Sequence, residues 1–135
     1  MKITKLTNKD FDKAAKLYQE HYPCALAFIT KYMKLEGIHL VVKEKDKIIG
    51  MIVAPYSNMN PNLVEISFLA VDKEQRGKGT GTKLLKELEQ RAKKQNKRSI
   101  ITYSRSAIEF YQKRGFKKAG SDSGGTLLFK RISQE

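Results

Sequence analysis

The stretch from residue 63 to residue 92 changes character twice. Leu63-Val64-Glu65-Ile66-Ser67-Phe68-Leu69-Ala70-Val71 alternates like a strand, with Val64, Ile66, Phe68 and Ala70 expected on one face and Glu65 and Ser67 on the other. It gives way to Gln75-Arg76-Gly77-Lys78-Gly79-Thr80-Gly81-Thr82, and a helical stripe of Leu84, Leu85, Leu88 and Ala92 follows at once. Glycines let a backbone turn tightly and approach a ligand, so that successive N–H groups can point at an anion. The helix dipole adds about half a positive charge at the same place. With Arg76, Lys78 and Lys83 around it, this turn is built for a pyrophosphate. The spacing rules out a Walker loop, which needs G-x-x-x-x-G-K-[ST]. A dinucleotide fingerprint is also a poor fit, because it opens a parallel βαβ unit near its start and this turn lies mid-chain. A bare glycine-rich loop is just as often a flexible turn, so other residues have to decide.

The remaining pattern supplies the frame. Ile3 to Leu6 reads as a strand, and Thr7-Asn8-Lys9-Asp10 as a capping box. Phe11, Ala14, Ala15 and Tyr18 place a helix that ends near His21. Pro23 opens a second helix with Phe28, Ile29, Tyr32 and Leu35 on its apolar side, and Gly37 is placed to stop it. Ile38 to Val42 and Ile48 to Val53 form a hairpin, and residues 56–62 a loop. Ser99 to Tyr103 is a strand, Ala107, Ile108 and Tyr111 mark a short helix ended by Gly115, and Phe116 to Ala119 pairs with Thr126 to Lys130. The order β-α-α-β-β-β-α-β-α-β-β predicts a mixed α/β (α+β) fold, a mostly antiparallel twisted central sheet flanked by helices, in one domain over residues 1–135.

Composition narrows the function. The 135 residues carry 27 Lys and Arg against 14 Asp and Glu, a net charge of +13. Residues 1–70 hold ten lysines and seven acids; residues 71–135 hold seventeen basic residues and seven acids, hence +3 and +10. A basic half implies an anionic partner, either nucleic acid or a phosphate-bearing small molecule; a merely solvated surface is the plainer alternative. No apolar run approaches the ~20 residues of a membrane span, and the N-terminus lacks a secretory stretch. One cysteine, Cys24, cannot close an internal disulfide, and with only His21 and His39 as histidines no zinc spacing can be assembled. The expected protein is cytoplasmic, or nuclear in a eukaryote, without metal or membrane, and a monomer or homodimer.

Two motifs then carry a resemblance. Leu69-Ala70-Val71, a four-residue gap and Arg76-x-x-Gly79-x-Gly81 resemble the acetyl-CoA motif of the GNAT N-acetyltransferase superfamily. Ala107-Ile108-Glu109-Phe110-Tyr111-Gln112-Lys113-Arg114-Gly115-Phe116 resembles that family's second signature, A-x-x-(F/L)-Y-x-K-x-G-F. The resemblance implies acetyl-CoA as co-substrate. The backbone of Leu69, Ala70 and Val71 would hold its pantetheine arm, and Arg76, Gly77, Lys78, Gly79, Thr80, Gly81 and Thr82 its pyrophosphate. Glu65, six residues before Val71, and Gly124-Gly125-Thr126-Leu127 are similar to the histone acetyltransferase branch. Phe110-Tyr111 reverses that branch's usual order, and the segment from Phe116 to Gly124 is short for its substrate loop, so the histone acceptor is not carried over.

Acetyl transfer needs a neutral amine, yet a lysine-like amine has a pKa near ~10.4 and lies ~4 kcal/mol from deprotonation at pH 7. A base must therefore take the proton. Glu65 is the one carboxylate in an apolar strand, where desolvation would tune it; the alternative is a Glu on the wet face of a sheet. Tyr111 occupies the family's acid position and would protonate the leaving thiolate; the alternative is a core tyrosine. Tyr103, at a strand end, would contact cofactor or substrate, or simply pack. No covalent nucleophile is evident, so direct transfer in a ternary complex is expected. The acceptor is an amine on a small molecule or a protein, a lysine or an N-terminus. Two rival readings remain: a catalytically silent CoA-binding sensor, and a nucleic-acid binder using Lys93-Lys94, Lys97-Arg98, Arg105, Lys113-Arg114 and Lys117-Lys118 as a stripe.

Overall fold

The computed structural model describes residues 2–133. Strand β1 (Lys2–Lys5) leads into helix α1 (Phe11–Gln19) through a 3-10 turn, and α2 (Leu26–Met33) follows. Strands β2 (Gly37–Glu44), β3 (Lys47–Pro55), β4 (Leu63–Ile66) and β5 (Phe68–Val71) precede α3 (Thr80–Lys94). Then come β6 (Ser99–Ser104), α4 (Ile108–Lys113), β7 (Lys117–Ser121) and β8 (Thr126–Arg131). The mixed α/β reading and the element order hold, with one change that matters for the site. The stretch 63–71 is two strands rather than one.

β5 completes an antiparallel sheet in the order β1-β2-β3-β5, while β4 joins a second sheet in the order β4-β6-β8-β7. Only β4 and β6 run parallel; every other pairing is antiparallel. The cause of the split is one extra residue. Three positions separate Val53 from Tyr56, but four separate their partners Phe68 and Val64. Ser67 is the surplus, its N–H donating to Val53 O at 2.8 Å. Such a bulge turns the side chains that follow it to the other face. Val64 and Ile66 thus pack with Leu84, Leu85 and Leu88 of α3, whereas Phe68 and Ala70 pack with Ala14, Ala15 and Leu17 of α1 and Ile29 and Met33 of α2. The single apolar face expected for the four is therefore corrected to two.

Local chemistry explains the helices. Thr7 and Asp10 form the expected capping box, and Asp10 also bridges Lys43 at 3.0 Å. α2 buries Ile29 of its expected apolar side together with Met33, and Tyr32 packs against the same core; Phe28 is 48% exposed, and Leu35, 43% exposed, lies beyond the helix end. Gly37 does not end that helix; it opens β2, where a Cβ would lie 2.4 Å from Ala54 O. Helices α1 and α2 cover one face of the first sheet and α3 the other. The split between β4 and β5 lies where the two sheets part.

Candidate active site

Beyond β5 the chain is braced before it turns. The buried Asp72 accepts from the Glu74 N–H at 3.2 Å and bridges Lys47 at 2.9 Å. The Lys47 ammonium, with that N–H, holds the Asp72 carboxyl below the usual range. Gly77 and Gly79 then both take φ of 80°, the left-handed region where a side chain is strained. A Cβ at either position would meet nothing within 4 Å. The room a side chain would take there is open groove, a cradle for a ligand to approach the backbone. Thr80, Gly81 and Thr82, the first turn of α3, border the same groove at the positive end of the helix dipole.

This groove has a volume of about 940 Å³. Leu69, Ala70, Val71, Arg76, Gly77, Gly79, Thr80, Gly81 and Thr82 all line it, and Lys78, exposed, does not. The opposite wall is Glu20, His21 and Tyr22 beyond α1, and Ser106, Ala107, Phe110 and Arg114 around α4. Sequence reasoning missed this wall. Arg114 is fixed there: Nε donates to Thr82 Oγ1 and Nη1 to Phe110 O, both at 2.8 Å, with the guanidinium 4.0 Å from the Phe110 ring centre. Its signal was the motif run 107–116, in which it had counted only as a charge.

A second groove of about 540 Å³ opens at the sheet split. Ile66, Ser67 and Leu69 line it from the split strands, Thr102 to Ala107 from the β6–α4 turn, and Tyr18, Tyr22 and Tyr111 from the helices. Tyr22, Leu69, Ser106 and Ala107 line both grooves, so the two abut. Tyr111 is 3% exposed, and burial drives its hydroxyl far above the ordinary tyrosine value despite a hydrogen bond with Thr102. Burial, then Tyr22 and Cys24, push Tyr18 up to about 12. Tyr103 lies at the mouth and donates to Asp122 Oδ1 at 2.5 Å, an oxygen that also accepts the N–H groups of Gly124 and Gly125. Those partners, Tyr103 foremost, hold the Asp122 carboxyl low.

Glu65 stands apart from this. It is exposed on β4, in register with Ile101, and is not among the residues lining either groove. The apolar surround expected for it is absent: alternation with the buried Val64 and Ile66 puts it on the exposed face of β4. Ile66 and Ser67 beside it do line the second groove. Three cations of the expected basic stripe have partners within the protein. Lys97 caps Pro61 O and lies 4.4 Å from the Tyr56 ring centre, Arg105 binds Gly124 O, and Arg114 faces the first groove. Among the described residues no group of three His, Cys, Asp or Glu could hold a metal ion, and no helix is long and apolar enough to cross a membrane.

A glycine cradle at a helix N-terminus, opening beside a split between sheets, is a place for a phosphate-bearing ligand. The family model described as the acetyltransferase (GNAT) domain matches residues 8–124, and the chain belongs to that family. Acetyl-CoA is accordingly its co-substrate, and the open cradle at Gly77 and Gly79 fits a phosphate-bearing ligand. Among solved structures, the chain is similar to Tetrahymena GCN5, with a TM-score of 0.86 and 25% identity over 100% of this chain and 98% of that one. It is similar to the aminoglycoside 6'-N-acetyltransferase of Enterococcus faecium, with a TM-score of 0.88 and 18% identity over 100% and 99% of the two chains. For the ribosomal-protein-S18-alanine N-acetyltransferase of Escherichia coli the TM-score is 0.86, at 17% identity over 99% of this chain and 95% of that one. A search of curated proteins by sequence finds no match.

Proposed function

We propose that the chain transfers acetyl from acetyl-CoA to a primary amine by direct attack, with the cofactor in the larger groove and the amine in the tyrosine-lined one. The carrying observation is that the two grooves abut at the β4–β5 split, sharing Tyr22, Leu69, Ser106 and Ala107. Bound acetyl-CoA supplies an activated thioester. The backbone of residues 69–71 runs along the groove where an extended arm can pair with it, and Arg76, Gly77 and Gly79 to Thr82 border the place for the pyrophosphate. Arg114, tied to Thr82 and Phe110, adds a fixed cation to the lining of the same groove.

Two proton movements remain. Tyr111 keeps its proton because burial raises it, and it gives that proton to the departing sulfur. Glu65 takes the amine proton. Its exposure, next to two residues that line the amine groove, favours transfer through groove water over direct contact. The acceptor is a small-molecule amine or a protein amine, a lysine or an N-terminus. The net charge of +13 favours a neutral or acidic carrier over a polycation. Glu65→Gln tests the base: kcat should fall by ~10²–10⁴ with the CoA dissociation constant nearly unchanged. Near-intact kcat at neutral pH would return Glu65 to an ordinary surface residue.

A further inference from the structure

The end of α1 meets the cofactor loop through one contact. Nη2 of Arg76 lies 3.1 Å from Nδ1 of His21. An arginine only donates, so in this contact His21 accepts at Nδ1, which leaves Nε2 to carry the ring hydrogen. That Nε2 is buried and has no partner. A buried donor left unmet costs stability, so the fold alone gives no reason for this ring to sit here. Both residues line the larger groove.

Arg76 is exposed and stands next to the left-handed Gly77, where a long side chain has many rotamers to choose from. The His21 ring is better anchored. Its backbone N–H donates to Tyr18 O at 3.1 Å, and the Tyr22 ring stands edge-on to it at 6.3 Å. Nη2 carries two hydrogens, so holding one of them leaves the other, paired with Nε–H or with Nη1–H, as a two-donor edge that matches a phosphate.

We propose that His21 is a positioning residue of the cofactor site, holding the Arg76 fork over the groove so that it meets an incoming pyrophosphate already oriented. This rests on the reading of Arg76 as a phosphate ligand. It adds a role for the end of α1, whose next residue, Tyr22, walls both grooves. Orientation before binding removes part of the ordering cost of association.

Calorimetric titration of the whole chain with coenzyme A, and with pantetheine, which has the arm but no phosphate, tests this. His21→Ala should weaken coenzyme A about three- to tenfold, as for other coupled neighbours. It should leave pantetheine unchanged. His21→Asn, whose Oδ1 takes the place of Nδ1, should bind coenzyme A within about twofold of wild type. In an Arg76→Ala background, His21→Ala should add almost nothing. Three results would overturn the proposal: no loss in His21→Ala, the same loss for pantetheine, or a loss that persists without Arg76. An Arg76→Ala variant that binds coenzyme A as tightly as wild type removes the phosphate reading of Arg76 itself, and the proposal with it.

Discussion

Tyr111 and His39 show how burial sets a side chain's task. Tyr111 is the buried residue of α4, and desolvation raises its hydroxyl above the ordinary tyrosine value, so it is protonated near neutral pH. Tyr111→Phe keeps the ring and its packing against Phe110 and Phe116. Steady-state kinetics should therefore show kcat down ~10²-fold or more, while the coenzyme A dissociation constant stays within about twofold. His39 does structural work instead. Its Nδ1 accepts from the Ala54 N–H at 3.1 Å, and its Nε2 meets Leu35 O at 2.7 Å. Burial, with the nearby Lys5, lowers its pKa from 6.5 although the Leu35 contact opposes this. The unfolded chain then binds the proton more readily than the folded one. Stability from His39 is thus complete above the unfolded value and declines as pH falls below it. Melting temperature should drop between pH 7 and pH 5, and less so in His39→Gln.

At the scale of elements, the strand–turn–helix unit around Gly77 and Gly79 is the part on which binding depends. Gly79→Asp adds a side chain where the cradle is open, strains a φ of 80°, and sets a carboxylate where phosphate is expected. Thermal melting should show coenzyme A stabilising the wild type but not this variant. This unit was legible because three signals agree there: alternation to Val71, glycines with cations, then a leucine stripe at helical spacing. The bulge at Ser67 was not legible. Both faces of the first sheet are covered by helices, so the period-two pattern continues through the extra residue although the faces exchange. Glu65 precedes the slip, and its exposure follows from the alternation itself: with Val64 and Ile66 buried, it takes the wet face. In α2 the helical spacing was legible at Ile29 and Tyr32, which reach the core, whereas Phe28 stays largely at the surface and Leu35 lies past the helix. The wall of Tyr22, Ser106, Phe110 and Arg114 depends on long-range packing that periodicity does not encode.

For the whole molecule, the positive charge and the two abutting grooves give separable forecasts. Lys93, Lys94, Lys97 and Arg98 lie at and beyond the far end of α3 from the cradle. Replacing all four with Gln should leave the KM for acetyl-CoA within about twofold at physiological salt, where screening acts over ~8 Å. A nucleic-acid-binding chain would instead lose affinity in that variant, with a salt slope lower by nearly one per lost phosphate contact.

Most direct is a thiol-release assay with acetyl-CoA and a panel of neutral, acidic and polycationic primary amines, with mass spectrometry of each acceptor, run on the wild type and Gly79→Asp. The wild type should release coenzyme A in step with one acetyl group gained on an amine nitrogen, fastest for neutral or acidic carriers, and Gly79→Asp should do neither. Coenzyme A binding without acetylation of any amine, or equal turnover by both proteins, would contradict an N-acetyltransferase that works through this cradle.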